Sequence, residues 1–318
     1  MSRISRPRRP HAALLRWTGN SPLPLREQQQ LDQLNHLLAH VGQYCTGYSS
    51  AYRQRRLQDL GELASLPLLN AGELFAAQQA HPPFAGLTGR PASQALRVFA
   101  CPGQLAIPEY AGADWWGAAR ALFAAGFKAG EVLLNGHDYH ISPTAFIFDN
   151  GARQLGSPVV PCGPHDTRRQ LEALQRFEPT GFVGPLAVLL DLLEAAERAE
   201  VPSDSLRCAL LCESSHPDTR PLQAVHGIRA LNCLLLQDAG VIAYESQPGQ
   251  GFIVNENCLV EIIDLASGEP VIGDTVGQLV VTRLDLEYPL LRLVTEWQGH
   301  WLAGASPCGR TNRRLRLV

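Results

Sequence analysis

Two stretches of this chain bring reactive side chains close together. Asn135-Gly136-His137-Asp138-Tyr139-His140 follows an apolar run and carries two histidines in what reads as a turn. Imidazole is the side chain whose ordinary pKa lies nearest neutrality, so His137 or His140 would serve as a general base toward a thiol or hydroxyl. The plain alternative is a pair of surface histidines bonded within their own turn. In PVVPCGPHD, Cys162 precedes His165 by three residues, a spacing that invites a thiolate nucleophile with an imidazole partner. Cys101, in Cys-Pro-Gly, invites the same idea for thioester transfer. Neither cysteine has a third group nearby in sequence to orient it. The other cysteines are dispersed, and Cys208 and Cys212 have neither a Cys-x-x-Cys pair nor a histidine at zinc spacing. Buried free thiols are the expectation.

The elements that would position these groups follow from hydrophobic periodicity. Leu31, Leu34, Leu37, Leu38 and Val41 recur at helical spacing, and Asn70 is placed to cap a short helix through Glu73 and Phe75. From Leu96 the chain alternates strands and helices. Strands are expected at Leu96–Ala100, Glu131–Asn135, Pro158–Pro161, Gly181–Val183 and Leu206–Cys212. Helices are expected at Asp114–Phe127, up to GARQLG, at Arg168–Phe177 and at Leu186–Ala199. That alternation predicts a mostly parallel, doubly wound α/β sheet. After residue 245 the pattern turns β-rich, with GFIVNENCLVEIIDL, a turn at Ser267-Gly268-Glu269-Pro270 and GQLVVTRL, as expected of antiparallel hairpins in a small barrel or sheet. The expected parts are a disordered basic tail (1–25), a helical segment (26–95), an α/β core (96–245) and a β-rich subdomain (246–318).

Composition sets the outer bounds. With 318 residues, 45% hydrophobic and 18% charged, the chain reads as an ordinary soluble globular protein. A net charge of −3 gives no footprint for nucleic acid, despite Arg3, Arg6, Arg8 and Arg9. No apolar stretch has the length or flanks of a signal peptide or a bilayer span, so a cytoplasmic location with no membrane partner is expected.

The most specific feature is Gln237-Asp238-Ala239-Gly240-Val241-Ile242-Ala243-Tyr244-Glu245, followed by VEIIDLASGEP, GQLVVTRLDLEYPLLRL and Cys-Gly-Arg-Thr at 308–311. In order and spacing this resembles the catalytic core of the phenylacetate–CoA ligase family of adenylate-forming enzymes. The likeness spans most of residues 30–312. It implies an α/β fold with layered, doubly wound sheets plus a small β-rich subdomain, the N-terminal domain of such enzymes. It also implies an aromatic or other small carboxylate joined to AMP and then to coenzyme A, with ATP and magnesium as cofactors. A small mobile domain would follow Arg310. Because the sequence stops at Val318, the expectation is a body without that lid, its adenylation lysine and most of the pantetheine tunnel.

Carried over residue by residue, the resemblance assigns Asp238 to catalysis and metal binding, although a lone acid there would equally cap its loop. Glu213, in Leu211-Cys212-Glu213, matches a segment beside the nucleotide, and Gln237, Arg292, Glu296 and Arg310 fall in the nucleotide and hinge motifs. His137, Tyr139, His140 and Gly184 match the turns lining the acyl pocket, with Gly240 beside the substrate. The departures are as informative. Of the phosphate-cradling turn only Gly103 and Pro108 remain, and Pro102 removes an amide donor. Leu234 stands where a tyrosine stacks on adenine. Trp297 stands where an aspartate binds ribose, and an indole offers no acceptor. Three functions follow: an acyl-activating CoA-ligase homologue with an impaired ATP site, an ATP-independent acyl transfer between coenzyme A and a carrier protein, or a non-catalytic scaffold.

Overall fold

A computed structural model describes residues 22–48, 52, 55–100, 105–213, 215–304 and 306–318. Most of the basic tail, and with it Cys101 and Gly103, lie outside the described residues. The first helix among the described residues, α1 (Leu23–Tyr44), buries Leu31, Leu34, Leu37, Leu38 and Val41, the stripe its spacing predicts. The Asn70 side chain accepts a hydrogen bond from the Gly72 amide and starts α2 (Ala71–Ala80) as expected.

Beyond these come β1 (Arg97–Ala100), β2 (Ala106–Glu109), α3 (Ala118–Ala125), β3 (Leu133–Asn135), α4 (Thr144–Leu155), β4 (Val159–Pro161), α5 (Thr167–Phe177) and β5 (Gly181–Gly184). Next are α6 (Leu186–Arg198), β6 (Cys208–Leu211), α7 (Arg220–His226), β7 (Arg229–Leu236) and β8 (Gly240–Glu245). The chain ends with β9 (Phe252–Val254), β10 (Cys258–Ile263), β11 (Gly277–Arg283), β12 (Leu290–Leu302) and β13 (Arg314–Leu317).

Eleven strands form one sheet in the order β10-β11-β12-β13-β9-β8-β7-β6-β5-β3-β4. From β4 to β7 neighbours run parallel, and from β7 to β10 they run antiparallel. Both faces of the parallel part are covered. Leu133, Val183, Leu210 and Leu231 lie in the core on the side of α3 and α4, whereas Leu134, Phe182, Leu211 and Ala230 lie in the core on the side of α5, α6 and α7. A residue period of two explains how one strand feeds two cores.

The expectation for Leu96–Ala100 needs correcting. It pairs with β2 in a separate two-stranded ribbon, and only Phe99 of its four residues is buried. A strand with one apolar residue to bury cannot fill a position covered on both faces. Among the described residues no helix is long and apolar enough to cross a membrane.

Candidate functional site

The sheet itself marks a crevice. β3 connects through α4 to β4 on one side, while β5, on its other side, connects through α6 to β6. Ligands of open α/β sheets bind where adjacent connections diverge in this way, beyond the carboxyl ends of the strands. The residues there are Asn135, Gly136 and His137 after β3 and Gly184 after β5. A Cβ on Gly184 would stand 2.6 Å from Cζ of Phe182 and 3.3 Å from Cα of Gly136, so the two turns touch. Glu213, at the end of β6, reaches the same edge: its Oε1 accepts the Leu186 amide at 2.9 Å and its Oε2 accepts the Ser215 hydroxyl at 3.0 Å. Its carboxylate thereby caps α6.

His137 is only 6% exposed, stacks on Phe148 with ring centroids 5.1 Å apart, and has a buried Nε2 without a partner. Burial pushes its pKa down to about 4. It is therefore a neutral imidazole at physiological pH. A histidine whose folded pKa lies below its unfolded value stabilises least where only the unfolded chain binds the proton. As pH falls from 6.5 to 4, the wild type should lose about 3 kcal/mol more stability than His137→Phe. Urea unfolding of the two proteins across that range tests this, and parallel curves would refute it.

Tyr139 donates its hydroxyl to Asp149 Oδ1 and accepts from Asn135 Nδ2, both at 2.9 Å. His140 is exposed, and its amide is tied to Asp138 Oδ1 within the turn. Structure thus separates the two histidines, keeping His137 at the crevice. The thiol pair is not assembled: burial pushes Cys162 up to about 11, and His165 is exposed. A thiol so disfavoured as an anion is no nucleophile near neutrality.

Asp238 and Gln237 lie in the turn from β7 to β8. Burial raises the Asp238 pKa, and its main-chain oxygen accepts from the buried Arg283 guanidinium at 3.1 Å. Gly240, at φ +86°, closes that turn against the carbonyl oxygen of Trp116, which also accepts the Val241 amide at 2.9 Å. Among the described residues no three of His, Cys, Asp and Glu form a metal cage. One desolvated carboxyl with a guanidinium behind it fits a magnesium ion poorly.

Arg292 departs from its expected role. It is 2% exposed and spends its guanidinium on Glu261, at 3.0 Å from both Nε and Nη2, and on the carbonyls of Ala64 and Leu66. A side chain with these bonds already made is turned to the protein, and a nucleotide would have to compete with all of them. Arg310 lies over the Tyr244 ring at 5.7 Å with Nη1 3.4 Å from Cys308 Sγ. Burial alone would raise the Cys308 pKa, but hydrogen bonds from Ser246, Ser306 and Arg310 pull it down to about 7.

Glu296 and Trp297 line a cavity of about 510 Å³ together with Ser215, His216 and Thr219 from the segment after Glu213. Two segments that the motif spacing assigned to the nucleotide therefore share one wall. The same cavity holds residues the motifs missed. Asn232 is 4% exposed and gives Nδ2 to Pro217 O and Glu245 Oε2, yet its Oδ1 is without a partner, as is the buried Thr219 Oγ1. Glu245 Oε2 accepts the Asn232 amide and Oε1 the Gly249 amide, each at 2.8 Å. An asparagine inside the apolar run Arg229-Ala230-Leu231-Asn232-Cys233-Leu234 was the available signal, because a buried polar group needs a reason.

No family model matches the chain. It is 26% identical over 310 residues to the phenylacetate–coenzyme A ligase of Aromatoleum evansii, covering 91% of this chain and 69% of that protein. With the enzyme of the same name from Thermus thermophilus it shares 27% over 309 residues, 90% of this chain and 68% of that one. Among solved structures, an open conformation of 2-hydroxyisobutyryl-CoA ligase in complex with 2-HIB-AMP and CoA superposes with a TM-score of 0.81 at 20% identity, covering 94% of this chain and 75% of that one. The fold is that of the adenylate-forming CoA ligases. In sequence the chain is similar to phenylacetate–coenzyme A ligases.

Proposed function

We propose that this protein is an acyl-activating homologue of the CoA-ligase type, acting in the cytoplasm on an aromatic or other small carboxylate or its coenzyme A thioester, with an impaired ATP site. The observation that carries the reading is the crevice between β3 and β5, where Gly136 and Gly184 meet beside the unpartnered Nε2 of His137. A neutral imidazole at that point has one nitrogen to offer an incoming acyl group or thiol. The names of the relatives support a carboxylate and coenzyme A as substrates. The same reading keeps the division into 26–95, 96–245 and 246–318, with Asp238, Glu213 and His137 as the groups nearest the chemistry.

The impairment follows from residue chemistry. In the cavity beside Trp297, Asn232 Oδ1 and Thr219 Oγ1 would still receive donors such as a purine amino group. Trp297 offers no acceptor to the ribose hydroxyls, and Asp238 is poorly placed to hold a magnesium–phosphate complex. Losing one donor that stabilises transition-state charge costs about 2.7–4 kcal/mol, so ATP-driven ligation should be slow.

Pyrophosphate release with a panel of aryl and short aliphatic acids tests ligation, and acyl transfer from an aryl-CoA to a holo carrier protein without ATP tests its replacement. Neither product, together with no rise in melting temperature at high acyl-CoA, would reduce the protein to a scaffold. A ligand at a hundred times its dissociation constant should stabilise by about 2.7 kcal/mol. Trp297→Asp should tighten AMP binding roughly tenfold, since a hydrogen bond to a charged acceptor is worth about 1.5–3 kcal/mol. Weaker AMP binding by Trp297→Asp would mean the indole already holds the nucleotide, and the impairment would fall.

A further inference from the structure

A separate cavity of about 330 Å³ lies between α1, the start of α3 and the turn Asn255–Asn257, and it shares no lining residue with the cavity around Asn232. Most of its lining residues carry polar or charged side chains, and two of these side chains make no hydrogen bond. Both Nδ2 and Oδ1 of Asn257 are buried without a partner. Its neighbour Asn255 shows the contrast. Asn255 gives Nδ2 to Gly117 O at 2.7 Å and Val241 O at 2.8 Å, and its Oδ1 accepts the Glu256 amide at 2.9 Å. Asn255 builds the turn, and Asn257 is left over. The second group is Arg120, half-buried on the same wall, which makes no hydrogen bond or ion pair with any described residue.

The backbone makes room for this arrangement. Gly117 adopts φ +72°, and a Cβ there would come within 2.4 Å of Asn257 Nδ2 and 2.8 Å of Asn255 Nδ2. Only glycine lets the carboxamide lie against the start of α3. Of the acids on the wall, Asp114 is close enough to feel the charge of Arg120, which opposes the rise that burial causes, and it offsets that cation only in part. Glu256 pairs with Arg26 and accepts from Asn312, and Asp114 accepts the Ala119 amide at 2.8 Å. Burial pushes Asp114 up to about 7, so it carries only part of a charge near neutrality.

A buried carboxamide with both atoms unsatisfied costs free energy that a complementary ligand would recover. Its donor and acceptor lie side by side, so the complement is a group offering an acceptor and a donor along one edge, as primary amides and nucleobases do. Arg120 asks in addition for an anion. We infer that this cavity is a second ligand site, for a small organic monoanion bearing an amide-type edge, with the edge on Asn257 and the anion on Arg120. The inference stands apart from the acyl-group reading and uses none of its residues.

Saturation-transfer NMR on the full chain tests it with three probes: succinamate (edge and anion), succinamide (edge only) and succinate (anion only). Succinamate should bind about tenfold more tightly than either single-feature probe. Asn257→Leu should remove its advantage over succinate, and Arg120→Met its advantage over succinamide, while Asn232→Leu changes neither. Asn257→Asp keeps the side-chain volume but loses the donor, and should weaken succinamate even if the leucine variant folds poorly. Equal succinamate binding by wild type and variants, or no binding of any probe, would overturn the inference. Loss of succinate binding alone in a crevice variant such as His137→Phe would instead concern the acyl site.

Discussion

Replacing Arg292 by methionine should cost about 3–5 kcal/mol of folding stability, the usual penalty for removing one partner of a buried ion pair. Arg292 sits at the start of β12, and its guanidinium joins Glu261 of β10 to the carbonyls of Ala64 and Leu66 in the segment before α2. Methionine fills much of the same space but leaves Glu261 desolvated without its cation. Burial already raises the Glu261 pKa, and Arg292 opposes that rise. In the variant the carboxyl should rise further and be protonated in the folded state first. The deficit should therefore be largest at neutral pH and narrow on acidification. The double variant Arg292→Met/Glu261→Leu should regain most of the loss, because exchanging both ions for apolar groups is often neutral or better. Urea unfolding of the three proteins measures all of this. A loss below about 1 kcal/mol for Arg292→Met, or one that Glu261→Leu fails to restore, would return Arg292 to a ligand-binding role.

Gly240→Val should destabilise by about 4 kcal/mol, combining roughly 1–3 for a side chain in the left-handed region with roughly 1–3 for overpacking. At φ +86° the added Cβ would stand 2.3 Å from the carbonyl oxygen of Trp116. That oxygen accepts the Val241 amide, so it cannot retreat without breaking the bond that holds the β7–β8 turn to the segment before α3. Asp238 sits in the same turn. A variant that still folds should show a displaced turn, with weaker protection of the Val241 amide in hydrogen exchange. An unfolding midpoint equal to wild type would show that the turn yields freely and does not hold Asp238 in place.

The two variants also separate what local sequence says from what packing adds. The stripe of α1, the Asn70 cap and the strand–helix alternation were legible because each is written in neighbouring residues at a period of 3.6 or 2. The motif around Gly240 and Glu245 was legible too, as was its likeness to CoA ligases. The role of Arg292 was not. Its partners Glu261, Ala64 and Leu66 are remote in sequence, and no spacing rule connects them. His137 and His140 look alike in the chain, yet one is buried on Phe148 and the other is exposed. The ribbon position of Arg97–Ala100 likewise depends on which faces other elements leave free.

Sequence alone therefore determined the α/β class and a β-rich, antiparallel C-terminal part, because these are properties of residue type and order, but the antiparallel pairing begins earlier than the expected boundary, already between β7 and β8. Tertiary structure decided which polar groups are satisfied. It closed Arg292 into an ion pair, left His137 Nε2, Asn232 Oδ1 and the Asn257 carboxamide without partners, and set the last two in different cavities. The reason is that hydrogen-bond satisfaction and desolvation belong to the assembled neighbourhood of an atom, and the chain order of residues does not encode that neighbourhood locally.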